Sequence, residues 1–134
     1  KQDRCQKQVL DKLRIYGLSD VVIEDILIEL ISNNFVNEER YSRSFCTGKF
    51  KIKKWGRRKI TFELKRKNVS DICIAKGLEE IEDVEYLETL HDLLNKKKVL
   101  LKETNPFIIN KKIADYLIGK GYESELVWNA IRQR

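Results

Sequence analysis

Ile60-Thr61-Phe62-Glu63-Leu64-Lys65-Arg66-Lys67-Asn68-Val69-Ser70-Asp71-Ile72-Cys73-Ile74 decides the fold, because its spacing occurs twice more in the chain. Shifts of 51 and then 53 residues align Val9, Ile60 and Ile113, and likewise Leu13, Leu64 and Leu117. Gly17, Asn68 and Gly121 follow, then Leu18, Val69 and Tyr122. Further on, Val22, Cys73 and Leu126 align, then Ile23, Ile74 and Val127, then Leu27, Leu78 and Ile131. The i, i+4 pairs of the first two columns form one stripe of a helix. Glycine and asparagine tolerate the left-handed conformation that closes a helix, so the chain turns there the same way three times. Ser19 and Ser70 stand two residues later as N-caps of a second helix. In the third copy Glu123 holds that place, and Ser124 is read as a cap one residue late. The second helices are expected to bury the last three columns.

A further helix precedes each pair. Asn37 can cap a helix that starts Glu38-Glu39, with Val36 and Tyr41 spaced as a hydrophobic staple. Tyr41, Phe45, Gly48, Ile52 and Trp55 then fall within about 80° of arc and read as its buried stripe. A shift of 45 repeats the pattern, matching Ile81 to Val36, Tyr86 to Tyr41 and Leu90 to Phe45. The unequal shifts place an insertion near 96–110, around Pro106. The expected helices are 4–16, 19–32, 38–55, 57–67, 70–80, 83–102, 110–120 and 124–133. The fold class is all-α, with tandem repeats of a three-helix unit forming an elongated, curved helical array. Its divisions are a partial first repeat over 1–36, a second repeat over 37–81 and a third over 82–134. Each unit is small, so neighbours are expected to share a core.

Composition narrows the function. The chain has 134 residues, one of them Pro where average usage gives about 7. It has no Met, so something is expected to precede Lys1. The three cysteines are far apart and odd in number, which points to a reducing compartment. No apolar run could span a bilayer, and no secretory signal is present. One histidine, no CxxC pair and no phosphate-binding glycine loop leave no assembled catalytic, metal or cofactor set. A binding or regulatory role follows.

Charge is strongly segregated. Between Lys49 and Lys67 there are ten basic residues and one acid, Glu63. Between Gly77 and Asn95 there are seven acids and no Lys or Arg. A polyanion or an acidic protein groove is the natural partner of the first block. Ordinary solvation is the alternative.

Phe35-Val36-Asn37-Glu38-Glu39-Arg40-Tyr41-Ser42-Arg43-Ser44-Phe45 resembles the core motif of the RecX family of RecA regulators. Trp55-Gly56-Arg57-Arg58-Lys59-Ile60 with Leu64 and Asn68-Val69 is similar to that family's G-x-x-x-I-x-x-x-L-x-x-x-(G/N)-I. Ala114-Asp115-Tyr116-Leu117-Ile118-Gly119-Lys120-Gly121-Tyr122 looks like its C-terminal YL-x-x-KG-aromatic motif. The likeness runs through the whole chain, and Gly48–Gly56 looks most like members from the Bacteroidetes. It implies a cytoplasmic, non-enzymatic monomer that binds the RecA filament on DNA. Strand exchange, ATP hydrolysis and coprotease function would be restrained. Weak contact with single- or double-stranded DNA is also implied, but no cofactor, metal or membrane.

The contact candidates are Arg43, Lys49, Phe50, Lys53, Lys54, Arg57, Arg58, Lys59, Lys65 and Arg66. Phe50 falls on the charged side of its helix and is expected to be an exposed contact; packing on the adjoining repeat is the alternative. Tyr41, Phe45 and Trp55 could form a base-stacking platform, but their helical spacing favours core. Cys73 reads as a small core hydrophobe. His91 and Trp128 are given no site, and Lys96-Lys97-Lys98 with Lys102 could extend the basic surface or simply be solvated.

Overall fold

The computed structural model describes Gly17 and residues 20–133, with backbone alone at 20, 23, 26, 27 and 29–36. The expected helix 4–16 and its columns Val9 and Leu13 lie outside the described residues, as do Leu18, Ser19 and the side chains of Ile23 and Leu27. The described residues form helices only: α1 (Asp20–Lys51), α2 (Arg57–Arg66), α3 (Asp71–Leu78), α4 (Asp83–Leu100), α5 (Pro106–Gly119) and α6 (Ser124–Arg132). The fold is all-α and repeats in tandem, as the spacing predicts. The chain divides into two compact units, residues 1–47 with 62–80 and residues 48–61 with 81–134.

The recurring turn is reproduced bond for bond. Gly17, Asn68 and Gly121 have φ of 68°, 61° and 104°. At the end of α2, Val69 N–H donates to Leu64 O (3.1 Å) and Asn68 N–H to Lys65 O (3.0 Å). At the end of α5, Tyr122 N–H donates to Leu117 O (3.2 Å) and Gly121 N–H to Ile118 O (2.9 Å). Both are Schellman closures, and the residues their hydrophobic contact uses, Leu64 with Val69 and Leu117 with Tyr122, are buried. Ile60, Cys73, Ile74, Ile113, Val127 and Ile131 are buried as their columns predict. Val22 is not: it is 43% exposed, and Leu126 of the same column is half-buried.

Three expectations fail. First, no break separates 19–32 from 38–55: α1 is continuous, so Asn37 is no cap and there is no helix start for a Val36/Tyr41 staple to hold. No Gly or Pro stands between Asp20 and Thr47, and without a breaker the backbone has no reason to leave the helix. Second, the buried face of α1 is Glu38, Ser42, Cys46 and Phe50, one residue away from the expected stripe. Ile52 lies beyond the helix end and is 78% exposed, whereas Phe50 is 2% exposed, its ring 5.8 Å from that of Tyr86. The face is set by Gly77 of α3: a Cβ there would collide with Ser42 Oγ and come within 2.8 Å of Ser42 O and 2.9 Å of Cys46 Sγ. Only small residues fit opposite it. On α4 the buried residues are Tyr86, Leu90 and Leu94, which are offset by 44, not 45, from Ser42, Cys46 and Phe50. Third, α5 begins at Pro106 and not at 110, because Asn105 caps it by accepting from Phe107 N–H (3.0 Å) and Pro sits at its first position.

The remaining helix starts are held from a distance. Ser70 caps α3, its Oγ accepting from Cys73 N–H (3.3 Å), while its own N–H donates to buried Glu38 (3.1 Å). In a capping box the third helical residue would accept that proton; here that residue is Cys73, and α1 supplies the carboxylate. Glu123 is the N-cap of α6 without a side-chain bond to it, so Ser124 is not the cap. The start of α2 has no capping side chain of its own. Gly56, Arg57 and Arg58 N–H donate instead to Lys120 O (2.8 Å), the Tyr86 hydroxyl (2.9 Å) and Gly121 O (2.9 Å). Gly56 is required there, since a Cβ would run into the Gly121–Tyr122 backbone.

Candidate partner-binding surface

Acids of the stretch between Gly77 and Asn95 pair with Arg43, Lys51 and Arg57. In the first unit, Arg43 is clasped by Glu80 (2.7 Å), Glu39 (3.0 Å) and Glu79 (3.5 Å). Its hydrogen bonds to Glu39 and then Glu80 raise its pKa further. In the second unit, Lys51 pairs with Glu85 at 2.8 Å. Arg57 is the most committed. Its guanidinium carbon stacks 3.8 Å from the Tyr86 ring centroid, and Nη1 lies 3.4 Å from Asp83. Its Nε stands 3.2 Å from Glu123 Oε2, an ion pair without hydrogen-bond alignment. The Tyr86 hydroxyl donates to Glu123 Oε1 at 2.5 Å. Burial, then the bond to Glu123, pushes its pKa above the usual phenol range. Arg43 and Arg57 are therefore internal clamps. Phe50 is core, which corrects its expectation as an exposed contact: it lies on the buried face of α1, where the ring packs on Tyr86.

The rest stay outward. In the second unit Lys53, Lys54 and Arg58 are exposed. The chain leaves α1 through Lys54 at φ 59°, and the carbonyls of Lys53 and Lys54 accept from Lys120 Nζ (3.3 Å) and Tyr122 Oη (2.9 Å). Lys49 Nζ lies 5.0 Å and Lys59 Nζ 4.6 Å from the centroid of half-buried Trp55. Lys97 and Lys120 approach the Tyr116 ring at 4.8 and 5.8 Å. Burial, and then the charge of Lys59, holds the pKa of Lys120 below the usual lysine value. In the first unit, Lys65 and Arg66 are exposed beside Phe62, which is 60% exposed; Arg66 lies 6.0 Å from its ring and 3.5 Å from Glu63.

Of the candidates, Lys53, Lys54, Arg58, Lys65 and Arg66 are exposed and Lys49 and Lys59 half-buried. Three companions, Phe62, Tyr116 and Lys120, are not among those candidates, whereas Lys97 falls in the cluster Lys96-Lys97-Lys98 read as an extension of the basic surface or as solvated. Phe62, not Phe50, is the exposed aromatic of the basic block; it sits off the i, i+4 column of Ile60 and Leu64, a signal available in the spacing. Lys97 comes from a segment distant from Tyr116 and Lys120, and folding brings both lysines to the Tyr116 ring. Tyr41 and Phe45 stack on each other (6.0 Å) and are half-buried. The two described thiols are buried, and burial pushes Cys46 up to about 11 and raises Cys73 as well. Among the described residues no group of His, Cys, Asp or Glu is placed to hold a metal ion, and no helix is long and apolar enough to cross a membrane.

Two family models match, described as the second three-helix domain of RecX over residues 37–78 and the third over 83–131. The chain is 30% identical over 132 residues to the regulatory protein RecX of Clostridium beijerinckii, covering 97% of this chain and 61% of that protein. It is 29% identical over 133 residues to that of Streptococcus uberis, covering 94% and 48%. The chain thus spans about three fifths or less of these relatives. In fold it is similar to the crystal structure of RecX from Lactobacillus salivarius, with a TM-score of 0.84 at 23% identity over 98% of this chain and 86% of that one.

Proposed function

Because the chain belongs to the RecX family, we propose that it regulates RecA recombinase by binding the RecA filament on DNA. Strand exchange, ATP hydrolysis and coprotease activity would be restrained, in the cytoplasmic setting of recombinational repair and the SOS response. One observation carries the reading. The basic block presents exposed Arg58 in one unit and, in the other, exposed Lys65 and Arg66 around exposed Phe62, with Arg66 also 3.5 Å from Glu63. A large aromatic left among cations is an anchor for a partner that desolvates it, and the surrounding charge steers that partner in. A filament of protein and DNA offers both an acidic surface and phosphates.

Titration into RecA turning over ATP on single-stranded DNA tests this. Substoichiometric protein is expected to slow hydrolysis. Hydrolysis at the uninhibited rate when binding is saturated would overturn the proposal.

A further inference from the structure

Two aromatic rings of the second unit each gather two lysines. Lys49 and Lys59 sit over Trp55, at 5.0 and 4.6 Å, and Lys97 and Lys120 over Tyr116, at 4.8 and 5.8 Å. The two sets adjoin where Gly121, next to Lys120, packs so closely on Lys59 that a Cβ on the glycine would collide with the Cβ of Lys59. Lys120 Nζ is fixed by the Lys53 carbonyl at 3.3 Å. Sharing one ring puts the ammonium nitrogens of Lys49 and Lys59 within roughly 10 Å, about one Debye length at 0.1 M salt, so solvent ions do not fully separate them. Among the described residues, Lys59, Lys97 and Lys120 have no ion pair with a carboxylate. The contrast is sharp: Arg43, Lys51 and Arg57 are all claimed by acids, whereas these lysines are held by rings. Gathering like charges raises the energy of the free protein, and a bound polyanion relieves it. Holding flexible lysine stems against rings also removes ordering cost from the binding step.

We propose that this cluster is a phosphodiester cradle, in which Lys49, Lys59, Lys97 and Lys120 grip the backbone of a nucleic-acid strand and Trp55 and Tyr116 are positioning residues. The cradle deepens the RecA reading by assigning it a DNA contact, but it binds DNA without RecA, so the two fail separately.

The test is fluorescence anisotropy of a labelled thymidine oligonucleotide and of a labelled duplex, without RecA, across a salt series. Wild-type protein is expected to bind at low salt. Lys59→Gln/Lys120→Gln is expected to weaken binding at least tenfold and to flatten the slope of log K against log salt by about 1.4 on the single strand. Trp55→Leu and Tyr116→Leu keep every charge, so each is expected to lower affinity about two- to fivefold with the slope unchanged. Trp55→Phe, which restores a ring, is expected to recover most of the loss, an outcome that mere destabilisation would not give.

Absence of binding by wild-type protein to either nucleic acid overturns the cradle, as does an unchanged slope in the double lysine variant. Wild-type DNA binding by that variant with loss of RecA inhibition assigns the patch to a protein partner, and also overturns it. Loss of DNA binding with inhibition intact supports the cradle and separates it from the filament contact.

Discussion

Tyr86 Oη donates to Glu123 Oε1 at 2.5 Å while accepting from Arg57 N–H at 2.9 Å, so one hydroxyl of α4 holds both the first residue of α2 and the N-cap of α6. Tyr86→Phe removes both bonds and strands a helix-start N–H in a half-buried setting. A loss of about 1–3 kcal/mol is expected, read as a lower urea midpoint with an unchanged m-value.

Gly77→Ala tests the close approach of α3 to α1. In an unconstrained helix the change would stabilise by about 1 kcal/mol. Here the new methyl meets Ser42 and Cys46, and a net loss of about 1–3 kcal/mol is expected in thermal or denaturant melts.

Arg57 and Arg58 are neighbours in sequence and should separate in behaviour. Arg58→Glu is expected to leave the melting temperature within a degree or two of wild type and to weaken inhibition of RecA ATP hydrolysis. Arg57→Ala uncovers Glu123 and the Tyr86 ring, so its melting temperature is expected to fall by several degrees, equivalent to about 1–3 kcal/mol.

Stability is expected to fall at alkaline pH. The Cys46 thiol goes from an ordinary value of 9.0 to about 11 through burial, so the folded state holds that proton more tightly than the unfolded chain. Its contribution is complete below pH 9 and is lost as pH rises through about 11, at up to ~1.4 kcal/mol per pH unit. Buried Tyr86 and Tyr122, whose pKa values are also raised, act in the same direction from about pH 10 upward. Denaturant melts between pH 8 and 11 on wild type and Cys46→Ala check this; the variant is expected to be weaker throughout but to decline later.

Asn68→Gly is expected to be neutral or slightly stabilising, because the site needs φ of 61°, whereas Asn68→Val should cost about 1–2 kcal/mol. Circular-dichroism melts distinguish them.

The tandem repeat was legible in the sequence because its marks are local. An i, i+4 apolar pair and a left-handed closing residue follow from helix geometry alone, and Leu64-Asn68-Val69 and Leu117-Gly121-Tyr122 show both. The buried face of α1 was not, because Glu38, Ser42 and Cys46 owe their burial to Gly77 and Ser70, more than thirty residues away. Polarity sends Glu38 and Ser42 outward; their partners bring them in. The basic block was legible as a charge count, but not as a surface. Which cations remain available depends on where the acids of α4 and the loop before it land, and nothing in the spacing of Arg57 and Arg58 tells that only the first is claimed.

Ser70 and Glu123 occupy the same place in successive copies, yet Ser70 N–H is met by a carboxylate from α1 and the Glu123 carboxylate by a phenol from α4. The two joints have opposite polarity: in one the cap donates, in the other it accepts. Modules spliced between copies would therefore bring mismatched hardware, a second acceptor facing an acceptor or a hydroxyl facing none. Each copy is keyed to its own opening helix, which ties the order of the modules to the chemistry of their hinges.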